Sequence, residues 1–157
     1  MPPSVYIETS IVSYLVARPS RDPMMAERQR QTRDWWDNHR GEYRLVTSEI
    51  VTREAARGEA MMAQARMNIL HALPTLAVHK EADDLTRSLL ARGPLPSKAE
   101  TDAYHISLAA VNGLDYLLTW NCRHIANPRM YSTIAKVIQN HGFRLPALCT
   151  PDDLLRR

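Results

Sequence analysis

The stretch KAETDAYHISLAAVNGLDYLLT, residues 98–119, decides the fold class. Its first part repeats apolar side chains at helical spacing, at Ala99, Ala103, Ile106 and Ala110. Gly113 ends that helix, and a strand over 115–119 follows at once. A helix that runs directly into a strand is the repeating unit of a parallel sheet.

The alternation continues on both sides of this block. Toward the N-terminus, residues 4–7 read as a strand, and Thr9-Ser10 offers a helix start before residues 11–16. Ser20-Arg21-Asp22-Pro23 starts a polar helix to about His39, closed by Gly41. Residues 43–47 form a second strand, after which Ser48 caps a helix to Arg57 and Gly58 stops it. A helix over 59–72, a strand over 75–78 and a helix over 80–92 lead to the break at Gly93-Pro94-Leu95-Pro96. Toward the C-terminus, a loop through Asn127-Pro128 opens a helix to about His141, a strand lies near 145–149, and Thr150-Pro151-Asp152 restarts a last helical turn. Five short strands separated by helices predict an α/β fold, a three-layer sandwich around a five-stranded parallel sheet, in a single domain over 1–157.

Composition narrows the classes. Hydrophobic residues make up 45% and charged residues 24% of the 157 positions, a globular balance. No apolar run approaches the roughly 18 residues of a membrane span, and the start lacks a basic segment followed by an apolar one, so a cytoplasmic location is expected. Cys122 and Cys149 are too few for a disulfide scaffold. A net charge of +3 does not by itself require a nucleic-acid partner. The glycine patterns of P-loop, dinucleotide-binding and α/β-hydrolase folds are all absent.

In open parallel sheets ligands bind outside the carboxyl ends of the strands, where the winding reverses. Glu8 directly follows the first strand, and Asn121 lies two residues past Thr119 at the end of the fourth. Asp102 sits in the helix leading into the fourth strand, and Glu49 and Glu54 in the helix after the second. Carboxylates gathered at one crevice call for a cation, and hard oxygen ligands select Mg²⁺ or Mn²⁺. Glu49 and Glu54 are about 140° apart on their helix, so only one of them faces such an ion. Asp115 stands at the entry of the fourth strand, the wrong end, and Glu100 is rotated some 200° from Asp102 on its helix, toward solvent. His105, one turn after Asp102, is read either as a general base or as a histidine hydrogen-bonded at the helix–sheet boundary, the second being preferred. Cys122, His124 and His105 offer a weak soft-metal alternative. Trp35-Trp36 with Arg28, Arg30 and Arg33 suits either stacking on bases or an ordinary amphipathic helix.

The segments Val5-Tyr6-Ile7-Glu8-Thr9-Ser10, Thr47 to Gly58, Glu100 to His105 and Leu117 to Asn127 resemble a PIN-domain protein of the VapC toxin type, and the likeness covers nearly the whole chain. It implies a sheet order of 3-2-1-4-5 and a metal-dependent ribonuclease. It also implies Glu8, Glu54 and Asp102 as the ligands of Mg²⁺ or Mn²⁺, Asn121 at the fourth catalytic position, and Thr9 and Thr119 as polar support. Glu54 is preferred to Glu49 because Glu54-Ala55-Ala56-Arg57-Gly58 resembles the family's segment. Two positions depart from the pattern: the first acid is more often Asp, and the fourth is often acidic where Asn121 carries no charge, which weakens a second cation first.

The implied activity is hydrolysis of RNA phosphodiester bonds to 5′-phosphate and 3′-hydroxyl ends by metal-activated water, as the toxin of a toxin–antitoxin pair. The implied partners are RNA, transfer RNA included, a small cognate antitoxin and a second copy in a homodimer, with no membrane. The alternative is a catalytically weak PIN scaffold that binds RNA or protein. A crevice crowded with carboxylates further implies that Asp102→Asn raises the melting temperature of metal-free protein.

Overall fold

The computed structural model describes all 157 residues. Strands β1 (Ser4–Ile7), β2 (Arg44–Ser48), β3 (Thr75–Leu76), β4 (Tyr116–Leu118) and β5 (Ala147–Cys149) form one sheet in the order β3-β2-β1-β4-β5, every neighbouring pair parallel. The connecting helices are α1 (Thr9–Val16), α2 (Pro23–Asn38), α3 (Glu49–Ala55), α4 (Ala60–Leu70), α5 (Lys80–Arg92), α6 (Glu100–Val111), α7 (Pro128–Asn140) and α8 (Pro151–Leu155). Single 3-10 turns over Arg40–Glu42 and Ser97–Ala99 precede β2 and α6. α1 packs on α2, α3 and α4, and α2 on α8, while α5 packs on α6 and α7. β1 is buried along its whole length, as a central strand covered on both faces must be. No helix is long and apolar enough to cross a membrane.

The expected alternation is present, and the element ends have local causes. At the end of α6, Gly113 takes φ +66°, the Leu114 N–H donates to the Ala109 carbonyl at 3.0 Å and the Gly113 N–H to the Ala110 carbonyl at 3.0 Å. That paired pattern closes the helix and turns the chain straight into β4. α3 stops at Ala55, two residues short of the expected Arg57. The third strand ends at Leu76 instead of 78, because the Val78 N–H donates to Glu49 Oε2 at 3.2 Å and leaves the ladder. α1 is capped by the Glu8 side chain, which accepts from the Ser10 N–H, and not by Thr9 or Ser10.

Short strands contribute few ladder hydrogen bonds, so the sheet depends on what its faces bury. Ile7, Ile106, Leu108, Leu117 and Leu118 are completely buried in one apolar core, each contributing about 1.5–3 kcal/mol over an exposed position. Trp35 is among them, packed 5.6 Å from the Tyr43 ring, so it cannot stack on a base.

The chain winds from β1 outward to β2 and β3, then returns to β4 and β5 on the other side. The reversal lies between β1 and β4, where Ile7 is registered with Leu118 and the Glu8 N–H donates to the Leu118 carbonyl at 3.2 Å. Glu8 and Thr119 therefore emerge side by side at the carboxyl edge. Asp115 lies at the opposite edge, where Oδ2 accepts from the Ser4 N–H at 2.9 Å and from Ser4 Oγ at 3.1 Å.

Candidate active site

Glu8 is 6% exposed, and the hydrogen bonds it accepts all fall on one oxygen. Its Oε1 accepts from Thr119 Oγ1 at 2.6 Å, from Ser10 Oγ at 2.5 Å and from the Ser10 N–H at 3.1 Å. These donors exist because β1 and β4 are neighbours and because the first turn of α1 folds back on its own cap.

Glu54, in the last turn of α3, reaches the same crevice. Its Oε1 accepts from Thr9 Oγ1 at 2.5 Å and lies 2.8 Å from His105 Nε2. His105 is wholly buried on α6, and its Nδ1 lies 2.7 Å from the Tyr6 hydroxyl. That hydroxyl is in turn 2.7 Å from Ser48 Oγ, which also caps α3 by accepting from the Val51 N–H at 3.2 Å. A buried hydrogen-bonded chain thus runs Ser48–Tyr6–His105–Glu54 through β1, the β2–α3 junction, α6 and α3. One ligand atom each of Glu8, Glu54 and His105 lies within 4.8 Å of the other two.

Asp102 turns to a different partner. Its Oδ2 lies 2.9 Å from His124 Nδ1, and Asp102 is not in that 4.8 Å group. The Asn121 Oδ1 accepts from the His124 N–H at 3.0 Å, and Thr119 Oγ1 accepts from the Asn121 N–H at 2.9 Å, so Asn121 shapes the turn that carries His124. Of the four acids and amides expected at the site, the structure brings Glu8 and Glu54 together and places Asp102 and Asn121 on the His124 side of the same edge. Glu49 is engaged with Val78 and Glu100 is exposed. Cys122 is exposed and in no group with ligand spacing, so the soft-metal alternative has no site.

Sequence reasoning took His105 as a hydrogen-bonded boundary histidine, which is its place here. It missed Tyr6 and the pairing of His124 with Asp102. A tyrosine inside an otherwise aliphatic strand was the available signal for the first, and nothing in the spacing announced the second.

The electrostatics follow from these contacts. Burial opposes ionisation of Glu54, but the hydrogen bond and charge of His105, the Thr9 hydroxyl and the Arg57 charge together hold its carboxyl below the usual value. For His105, burial disfavours the charged form, and the hydrogen bond to Glu54 with the fields of Glu8, Glu54 and Asp102 outweighs it and raises its basicity. Burial pushes the Tyr6 hydroxyl well above its ordinary value, so it remains a neutral donor or acceptor. A buried imidazole and a hydroxyl donor thus compensate the charge of Glu54 in the crevice.

The donor set fits a hard divalent cation. Every hydrogen bond that Glu8, Glu54 and Asp102 accept from other side chains falls on a single oxygen of each, leaving the other carboxylate oxygen free to coordinate. Two carboxylates within 4.8 Å span no more than one ion requires.

An all-parallel sheet of order 3-2-1-4-5 with acids at the carboxyl edge of its central strands is the PIN-domain fold of VapC type, and this chain has that fold. No protein-family model matches the chain, and no curated protein does. Among solved structures it is similar to VapC20 of Mycobacterium tuberculosis, described as a sarcin–ricin loop cleaving toxin. The TM-score is 0.60 at 15% identity, over 76% of this chain and 92% of VapC20. VapBC2 from Rickettsia felis, solved on a promoter DNA fragment, aligns with 76% of this chain and 89% of its own at 16% identity and a TM-score of 0.48.

Proposed function

We propose that the protein is a divalent-cation-dependent endoribonuclease, the toxin of a toxin–antitoxin pair. The observation that carries this reading is the convergence of Glu8 and Glu54, each with a free oxygen, at the winding reversal of a fold shared with an RNA-cleaving toxin. Glu8, Glu54 and Asp102 are the residues that would hold Mg²⁺ or Mn²⁺, with Glu8 and Glu54 already at ligand spacing. A cation bound there supplies positive charge for a phosphodiester and acidifies water at neutral pH.

The chain's own groups do the rest. Thr9 donates to Glu54, and Ser10 and Thr119 to Glu8, fixing both carboxylates in rotamer. Asn121 shapes the turn holding His124 against Asp102. The Ser10 hydroxyl donates to Glu8 and accepts from the Trp120 N–H at 2.8 Å, which ties the start of α1 to the end of β4. Attack by water leaves 5′-phosphate and 3′-hydroxyl ends on RNA, transfer RNA or ribosomal loops included. A neighbouring antitoxin and a homodimer complete the proposed assembly.

A second reading has one observation in its favour. Glu54 and Asp102 are each paired with a histidine, a compensation that a binding scaffold would also use. Incubation of RNA with Mg²⁺ or Mn²⁺, followed by end-group analysis, separates the two. Cleavage with the stated ends that is lost in Glu8→Gln supports the nuclease. Tight RNA binding without cleavage in either ion supports the scaffold, and a cyclic 2′,3′-phosphate product overturns the proposed chemistry.

A further inference from the structure

The buried chain from Ser48 to Glu54 is longer than a metal site of carboxylates alone demands. It places a tyrosine hydroxyl and an imidazole, both without solvent exposure, in the core of β1 and α6. Buried polar groups are costly unless fully partnered, and these are partnered only by one another and by the two ends of the chain.

Hydrogen-bond direction decides what His105 can do. An ionised Glu54 carboxylate only accepts, so at 2.8 Å the proton between them belongs to His105 Nε2. Nδ1 faces the Tyr6 hydroxyl at 2.7 Å, an atom that can donate to it or accept from it. In either arrangement Nε2 carries hydrogen and has no lone pair for a cation. The side chain is also wholly shielded from any substrate. The Tyr6 ring packs edge-on against the imidazole, with centroids 5.7 Å apart and planes at 69°, which limits its rotation.

We propose that His105 is a positioning residue, oriented by Tyr6, which pins Glu54 Oε1 and thereby holds the free Oε2 in place to coordinate a cation beside Glu8. The inference rests on the cation-dependent reading of the site and deepens it. It removes His105 both from the ligands and from the acid–base groups, and it makes the Tyr6 hydroxyl part of the metal site at one remove. α3 leaves Glu54 near its C-terminal end, where backbone alone constrains a side chain least. Thr9 Oγ1 donates to Glu54 Oε1 from the first turn of α1, and a rigid partner anchored in β1 and α6 supplies the second constraint on that oxygen, in the way that outer hydrogen bonds orient carboxylate ligands elsewhere.

The test is cation binding by full-length protein, measured by calorimetry with Mn²⁺ for wild type, Tyr6→Phe, His105→Gln and His105→Leu, with circular dichroism to verify folding. The expected result is a Kd raised about 10- to 100-fold in His105→Leu, partial recovery in His105→Gln, whose amide can still donate to Glu54, and an intermediate loss in Tyr6→Phe. Unchanged affinity in folded His105→Leu overturns the inference alone. Absence of cation binding by wild type overturns the metal-dependent reading and this inference with it. Should the variants fail to fold, nitrogen-15 spectra of wild type decide. A protonated His105 Nε2 that persists as Mg²⁺ is added is the expected signature, and loss of that proton on adding Mg²⁺, as nitrogen ligation requires, overturns the proposal.

Discussion

Asp102 Oδ2 and His124 Nδ1 are 2.9 Å apart, with side chains 22% and 14% exposed, so Asp102→Asn in EDTA exchanges a charge-assisted hydrogen bond for a neutral one. The variant should lose about 0.5–1.5 kcal/mol, seen as a lower melting temperature, and should respond less to added Mn²⁺. This reverses the expectation from carboxylate crowding, because Asp102 has a partner of its own and lies outside the group formed by Glu8, Glu54 and His105. An unchanged Mn²⁺ response would remove Asp102 from the ligands. The Glu54–His105 pair sets a pH window for the metal-free protein. Glu54 is held below its ordinary 4.5, so its contribution is present above that value and is lost as pH falls through the folded pKa. His105 is held above its ordinary 6.5, so its contribution is full below that value and is lost as pH rises through the folded pKa. Denaturant midpoints measured in EDTA should accordingly be highest between those two ordinary values. In His105→Gln the decline on the alkaline side should flatten, and a wild-type profile rising steadily through pH 8 would contradict the pairing.

Elements in this protein end where a specific backbone group finds a partner outside the element. The α6–β4 junction depends on Gly113 at φ +66°, a conformation that side chains with a Cβ adopt at a cost, although open space surrounds the position. Gly113→Ala should therefore destabilise by about 1 kcal/mol through strain alone. Its measured melting temperature should drop by several degrees while Mn²⁺ affinity stays at the wild-type value, since Asp102 sits near the other end of α6. A fall in affinity would show that the register of α6 is loosely held. Positions of the helices were legible because capping and stop residues are local: Ser48 before α3, Gly113 after α6, and Thr150 with Asp153 forming a reciprocal cap on α8. The extent of β3 was not, since Glu49, 29 positions before Val78 in the chain, takes the hydrogen bond that would have prolonged it.

An acidic crevice that is proposed to meet a polyanion needs a cationic counterweight, and Arg28 and Arg57 are the candidates. Arg28 lies 4.9 Å above the Trp120 ring, and Arg57 lends its field to Glu54. Arg87, by contrast, pairs with Asp84 at 3.3 Å. With single-stranded RNA and the Glu8→Gln protein, fluorescence anisotropy across a salt series should show a slope of log affinity reduced by about 0.7 for each of Arg28→Gln and Arg57→Gln. Arg87→Gln should leave it unchanged, and equal slopes in all three would place the RNA elsewhere. Trp35 and Trp36 were the aromatic pair visible in the chain, yet Trp35 is buried and Trp120 is the ring that carries Arg28. Periodicity and local stop signals determined by themselves the alternation of strands and helices, the parallel sheet and the edge at which Glu8 and Thr119 emerge, because each is written in near neighbours. Which oxygen of Glu8 and of Glu54 is occupied, that Asp102 faces His124, and that Tyr6 reaches Glu54 through His105 were decided only by tertiary structure. Apart from Ser10 on Glu8, those contacts join positions separated by 22 to 111 residues, and their geometry exists only once β1, β4, α3 and α6 have packed around one core.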